Sequence, residues 1–356
     1  MTTFLARAGR RGFTLVELLV VIGIIALLIS ILLPTLSSAR KASKALVCLS
    51  NQRQIGQGLL FYTNAYNGYL PGSNLTSTVG LFADASVNNN NVPVRLGAFD
   101  WVTPIAEGLD INFNDGPTLD DRANRYLELL GPGSVFACPD NTQGIATKFG
   151  SIDVGAMPFI SYSTGALFMY VQNDSRDNSY PNPKNLNLDR IIYPQYYNMS
   201  QGYSPKITRV GDGSSKAFIG DGGRFVNGGL PTYNFRYDAN TGGNFATWGA
   251  FSRFSRGMQR AAAPANQGQS NDTFDSRLLW ARHGGGTPGA RGNAFDTNLL
   301  FYDGHAEKMG DLTASNPVYW MPPGTAIELD EFWNDTRESF LGSNPVTNSQ
   351  GEWVSP

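Results

Sequence analysis

The sequence predicts an α+β fold: a long N-terminal helix, transmembrane and then amphipathic, packed on an antiparallel β-rich globular body with long loops. Three observations carry that expectation. Residues 13–33 (FTLVELLVVIGIIALLISILL) are almost wholly apolar. Helical spacing of apolar and small residues then continues to about residue 66, and the remainder alternates short β-rich runs with turns rich in Gly, Pro and Asn.

The apolar run is long enough to cross a bilayer, since about twenty residues at ~1.5 Å each span the ~30 Å hydrocarbon core. Arg7, Arg10 and Arg11 precede it with no acid among residues 1–12, which places the N-terminus in the cytoplasm and the bulk of the chain outside. Ser37, Ser38 and Ala39 after Pro34 offer a competing secretory cleavage site near residue 39. Against that reading stands Glu17, a carboxylate inside the apolar run that a mere anchor has no reason to carry. Pro34 predicts a kink or local melt, because proline removes one helical hydrogen bond and crowds the preceding turn. Beyond it, Leu36, Ala39, Ala42, Leu46, Leu49, Gln52, Gly56 and Leu59 form a stripe at three- and four-residue spacing. Gly68 and Pro71 then stop the helix.

The body follows in order. Residues 72–98, with the tract Asn88 to Asn91, read as a long exposed loop. A short helix is expected over 117–130, with Thr118 as N-cap and Asp120 and Asp121 in its first turn. Cys138 follows at a strand end, and 159–171 is β-rich. Residues 207–223 read as strand, Asp-Gly turn, strand; residues 298–309 read as a hairpin with a type I′ turn at Asp303-Gly304. The aromatic residues of 231–280 lack clear periodicity, and the tail 344–356 reads as loose. Domain organisation is accordingly 1–12 as leader, 13–70 as helix (13–33 transmembrane), 71–343 as body and 344–356 as tail.

Composition narrows function. The 356 residues carry a net charge of -2 with 16% charged residues, below the ~25% usual for soluble domains. No basic face is available for phosphates, so nucleic acid is not an expected partner. The two cysteines, Cys48 and Cys138, lie too far apart in sequence for a metal-site spacing. A single long-range disulfide is the natural reading for a body outside the cytoplasm, two buried thiols the other.

The leader and helix resemble the class III signal of type IV prepilins and type II secretion pseudopilins, carried by Arg10-Arg11-Gly12-Phe13-Thr14-Leu15-Val16-Glu17. The resemblance implies cleavage between Gly12 and Phe13 by a prepilin peptidase, which then N-methylates Phe13. It further implies that Glu17 pairs with the new Phe13 ammonium of a neighbouring subunit. The body resembles a pseudopilin-like family marked by a C-terminal His-x9-Asp-Gly motif. Matching residues are Cys48, Asn51, Gln54 and Ile55; Cys138-Pro139; Val210, Asp212, Gly213, Ser214 and Ser215; then Arg282, His283, Asn298, Asp303, Gly304 and His305. Here 19 residues separate His283 from Asp303, and 287–296 looks inserted, which puts the place of His283 relative to the hairpin in doubt.

No catalytic constellation accompanies these motifs. His283 and His305 lack a third ligand or HExxH spacing, and no Gly-x-Ser-x-Gly occurs. Major pseudopilins often hold Ca2+ in a C-terminal loop, so Asp212, Asp221, Asp296 and Asp303 are calcium candidates by resemblance, although Asp-Gly as a plain turn is the simpler reading. The expected function is a non-enzymatic structural subunit in the bacterial inner membrane, single-pass, its body periplasmic or at the cell surface. The resemblance implies as partners the prepilin peptidase and N-methyltransferase, other pseudopilin subunits, an inner-membrane assembly platform and membrane lipid. The alternative is a membrane-tethered binding protein whose aromatic loops, such as 233–248, stack on glycans.

Overall fold

The computed structural model describes residues 14–72, 101–116, 119–141, 144–149, 152–158, 161–169, 197–198, 200, 203–221, 251–252, 260–261, 279–280, 283–284, 295–329, 337–342 and 344–356. Contact clustering divides the chain into two units, 1–43 and 44–356, and helix α1 (Leu15–Ala65) contributes to both.

In the first unit the helix begins at Leu15 and is not interrupted at Pro34. The local melt expected there does not occur. Hydroxyls of Ser30, Thr35 and Ser38 donate to carbonyls one turn back, so the polar residues of this stretch are satisfied by the helix itself. The apolar side chains from Leu15 to Leu33 are exposed all round, with a mean hydropathy of 3.1 in the most apolar window. A helix apolar on every face is suited to lipid or to a wholly apolar packing environment.

The second unit begins with the last six turns of α1, of which one face is buried: Cys48, Gln52, Ile55, Gly56, Leu59, Tyr62 and Thr63. It keeps Gln52, Gly56 and Leu59 of the expected stripe, but Leu46 is 67% exposed and Ala39 and Ala42 are also outside the core. The α+β expectation is met. Helices α2 (Val102–Gly108) and α3 (Leu119–Leu130) precede a hairpin of β1 (Gly144–Phe149) and β2 (Ile152–Pro158). The strands β3 (Tyr162–Gly165), β4 (Tyr197–Asn198), β5 (Ala217–Asp221), β6 (Phe251–Ser252), β7 (Arg260–Ala261), β8 (Leu279–Trp280), β9 (Asp296–Phe301), β10 (Ala306–Gly310), β11 (Ala326–Glu328) and β12 (Glu352–Val354) follow. The central sheet has the order β10-β9-β5-β3-β6, antiparallel except for the β3–β6 pair. Strand β5 is buried along its whole length and β9 nearly so, as befits strands covered on both faces.

Two glycines set how closely α1 approaches its neighbours. A Cβ at Gly56 would stand 2.8 Å from Leu300 Cδ1 and 3.1 Å from the Gly304 carbonyl, and one at Gly58 would stand 2.6 Å from Ile105 Cγ2. Elsewhere the core is aromatic: Trp101 meets Phe136 and Phe218 edge to face, and Phe168 meets Tyr302.

Four local expectations are corrected. Residues around Cys138 are turns rather than a strand end. Ile207–Arg209 forms a 3-10 turn, not a strand, because Lys206 already pairs with Tyr69 and the chain must bend toward Asp212. The hairpin turn is three residues, Tyr302-Asp303-Gly304: Gly304 alone takes positive φ (+91°), so the type I′ turn is replaced by a type I turn closed by a glycine bulge. The tail is not loose, since β12 pairs antiparallel with β11 and Ser355 exchanges backbone bonds with Gly324 and Thr325.

Candidate functional site

At the N-terminal site, Thr14 and Glu17 form a reciprocal cap. Glu17 Oε2 accepts from Thr14 N–H (2.9 Å) and from Thr14 Oγ1 (2.7 Å), while Thr14 Oγ1 accepts from Glu17 N–H (3.2 Å). This capping box satisfies two of the amides that a helix start leaves without partners. Its sequence signal is Thr-x-x-Glu at Thr14 and Glu17, at the start of the apolar run. Gly12 and Phe13 lie outside the described residues.

The body holds a second cluster. Cys48 on α1, Cys138 in the turn after α3, Asp221 at the end of β5 and His283 bring one ligand-capable atom each within 4.8 Å of one another. All four are buried: Cys48 and Asp221 at 0%, His283 at 1%, Cys138 at 3%. Asp221 is the hub. It accepts from Cys48 Sγ (3.3 Å), from the Asn298 amide (2.8 Å) and from Gln52 Nε2 (3.5 Å), and its Oδ2 lies 3.3 Å from His283 Nε2. Tyr162 Oη contacts Cys48 Sγ at 3.2 Å, and Cys138 Sγ lies 3.7 Å from His283 Nε2. On its far side the imidazole presents Nδ1 to Asp140 Oδ2 at 3.3 Å, and Asp140 Oδ1 in turn meets Lys44 Nζ at 3.2 Å.

These groups shape one another's protonation. Burial pushes the Cys48 thiol well above its ordinary range, and the neighbouring Cys138 and Asp221 push it further. Burial alone would lower His283, but hydrogen bonds and charge from Asp221 and Cys138 outweigh it and raise its pKa to about 10. His283 thus lies between two carboxylates, Asp140 at Nδ1 and Asp221 at Nε2.

The expected Cys48–Cys138 disulfide is not present: both sulfurs are thiols, each turned toward polar partners in the cluster. Cysteine and histidine spacing does not reveal this cluster, because four distant segments supply it. The doubt over His283 resolves through its backbone, which bridges Asp296 in both directions (3.1 and 3.0 Å) and so docks it beside β9 despite the inserted residues. The calcium candidates do not converge. Asp212 caps Ser214, Asp296 pairs with Lys308, Asp303 binds His305 Nδ1 at 2.6 Å, and Asp221 belongs to the cluster above.

Other motif residues serve packing. Asn51 donates to the Ala137 carbonyl beside Cys138, Asn298 Nδ2 donates to the Ala45 carbonyl, and the Asp212–Ser215 turn docks on the hairpin through Asp303 N–H to Gly213 O. Gln54 is exposed, His305 stacks on Phe301, and Arg282 and the aromatic segment 233–248 lie outside the described residues.

The model of the prokaryotic N-terminal methylation motif matches residues 7–33, which take in the second half of the leader, Gly12-Phe13 and Glu17. The chain thus carries a prepilin-type signal, and α1, which that signal enters, is long and apolar enough to cross a membrane. No curated protein and no solved structure matches the chain.

Proposed function

We propose that this chain is a pilin-like structural subunit, cleaved between Gly12 and Phe13, methylated at Phe13 and assembled through α1 into a type II secretion pseudopilus or a type IV pilus-like filament. The observation that carries the reading is Glu17, a charged residue that opens an otherwise apolar helix within a methylation motif. A carboxylate at membrane depth needs a positive partner, and the amino terminus created by cleavage of another subunit supplies one.

The exposed face of α1 in the body supports the same reading. Leu46, Val47, Leu60, Phe61 and Tyr66 are 41–67% exposed on a helix whose opposite side is buried, which suits packing against further helices. The wider likeness to the His-x9-Asp-Gly pseudopilin-like family belongs to this proposal, as does a body on the periplasmic or outer side and the absence of catalysis. The partners are then the peptidase and methyltransferase, sibling subunits and an inner-membrane assembly platform.

The test is Glu17→Gln. Glutamine preserves a capping-box acceptor but carries no charge, so the variant is expected to be processed normally and to enter filaments roughly tenfold less or worse. Filament incorporation equal to wild type would overturn the proposal.

A further inference from the structure

We propose that Cys48, Cys138, Asp221 and His283 form a binding site for a zinc-like divalent transition-metal ion that staples α1 to the sheet. The inference stands independently of the filament reading, since all four residues lie in the second unit and none belongs to the signal.

Donor chemistry comes first. Two sulfurs, an imidazole and one carboxylate suit borderline-soft ions such as Zn2+, and four protein ligands leave no open position, which marks a structural rather than a catalytic centre. Geometry agrees. Bonds of ~2.0 Å to nitrogen or oxygen and ~2.3 Å to sulfur set ligand atoms of a tetrahedral site roughly 3.3–3.8 Å apart. Three recorded separations fall in that range: 3.3 Å for Asp221 Oδ2 to His283 Nε2, 3.3 Å for Cys48 Sγ to the other Asp221 oxygen, Oδ1, and 3.7 Å for Cys138 Sγ to His283 Nε2. The four ligand atoms all lie within 4.8 Å of one another, so the set has only to contract slightly around an ion.

The surroundings are those of a built site. Histidine ligands generally give their other ring nitrogen to a carboxylate, which fixes the tautomer and turns the first nitrogen to the ion. Here Asp140 holds Nδ1, Lys44 steadies Asp140, and Nε2 faces the thiols and Asp221. Tyr162 Oη and the Asn298 amide meet Cys48 and Asp221 from outside the set. Gln52 Oε1 and Asn298 Oδ1, on residues that border the cluster, are buried acceptors without a hydrogen-bond partner among the described residues. A cleft of about 390 Å³, lined by Asn51, Ser134, Ala137, Cys138, Pro139 and Ser161 among others, gives an ion a route to Cys138.

A metal-free ion triad of Asp140, His283 and Asp221 accounts for the charges but not for the thiols. Nothing in such a triad calls for two cysteines from remote segments to meet beside it. On metal binding the two thiol protons and any proton on His283 Nε2 leave to solvent, and the ion's two charges offset the two thiolates, so that the site with its carboxylate carries a single net negative charge.

The test uses the full-length chain, purified in detergent without chelators, equilibrated with excess Zn2+ and desalted. Elemental analysis is expected to find about one zinc per chain, and alkylation mapping to find both cysteines protected until a chelator is added. Chelation should then lower the Tm by roughly 5–10 °C. Asp140→Asn touches no ligand atom and is expected to leave the circular dichroism unchanged while weakening zinc binding about 10–100-fold. A folded chain that retains no zinc would overturn the proposal, whether its cysteines prove reduced or joined as a Cys48–Cys138 disulfide. So would full zinc retention by the Cys48→Ser, Cys138→Ser double variant.

Discussion

Through Oε2, Glu17 accepts both bonds that Thr14 can offer, and Oε1 has no partner among the described residues. One carboxylate can therefore cap its own helix and still receive a neighbour's ammonium. The two roles separate by mutation. Thr14→Ala removes the reciprocal cap and keeps the charge, so it is expected to retain filament assembly that Glu17→Gln loses, measured as the sheared-filament fraction of each variant. Asp221 is the corresponding residue of the body, because five groups from α1, β9 and His283 converge on its two oxygens. Asp221→Asn is expected to destabilise the chain by about 3–5 kcal/mol, the usual range when one partner of a buried charge network is removed. Denaturant unfolding would check it, and a loss under 1 kcal/mol would show that the network is dispensable.

Helix α1 meets its neighbours closely only where glycine permits. Gly56→Ala and Gly58→Ala gain about 1 kcal/mol of helix propensity but force a methyl group into Leu300 or Ile105. Overpacking of that kind costs about 1–3 kcal/mol, so both variants are expected to melt below wild type, whereas Gly23→Ala, with nothing within 4 Å, should not. The C-terminal strand yields a second expectation. Removal of residues 344–356 strips β11 of its β12 partner and exposes the contacts of Trp353, so thermal melts should show a loss of several degrees.

These elements differ in how far the sequence disclosed them. The long helix, the helix at 119–130 and the hairpin of β9 and β10 declare themselves by local periodicity and by Asp303-Gly304, and all are present. The 3-10 turn at Ile207–Arg209 and the ordered tail do not, because each depends on pairing with a distant partner, Tyr69 or β11. The stripe of α1 is legible at Gln52, Gly56 and Leu59, whereas the burial of Cys48 and Ile55 in place of Leu46 depends on what packs over the helix. The Cys48–Cys138–Asp221–His283 cluster was illegible as a site, since its members share no local spacing. Even so, Cys48, Cys138 and His283 are motif residues of the sequence, and Asp221 is a calcium candidate by resemblance.

For the molecule as a whole, one signal governs the N-terminal unit and one network ties the final turns of α1 into the body. On the proposed function, processing at Gly12 is the step on which assembly depends, since it alone would create the amino group that pairs with Glu17. The most direct measurement is the mass of the N-terminal peptide from membrane-extracted protein. Cleavage before Phe13 with a single added methyl group is the predicted result. A chain that keeps Arg10 and Arg11, or that begins near residue 40, contradicts the account.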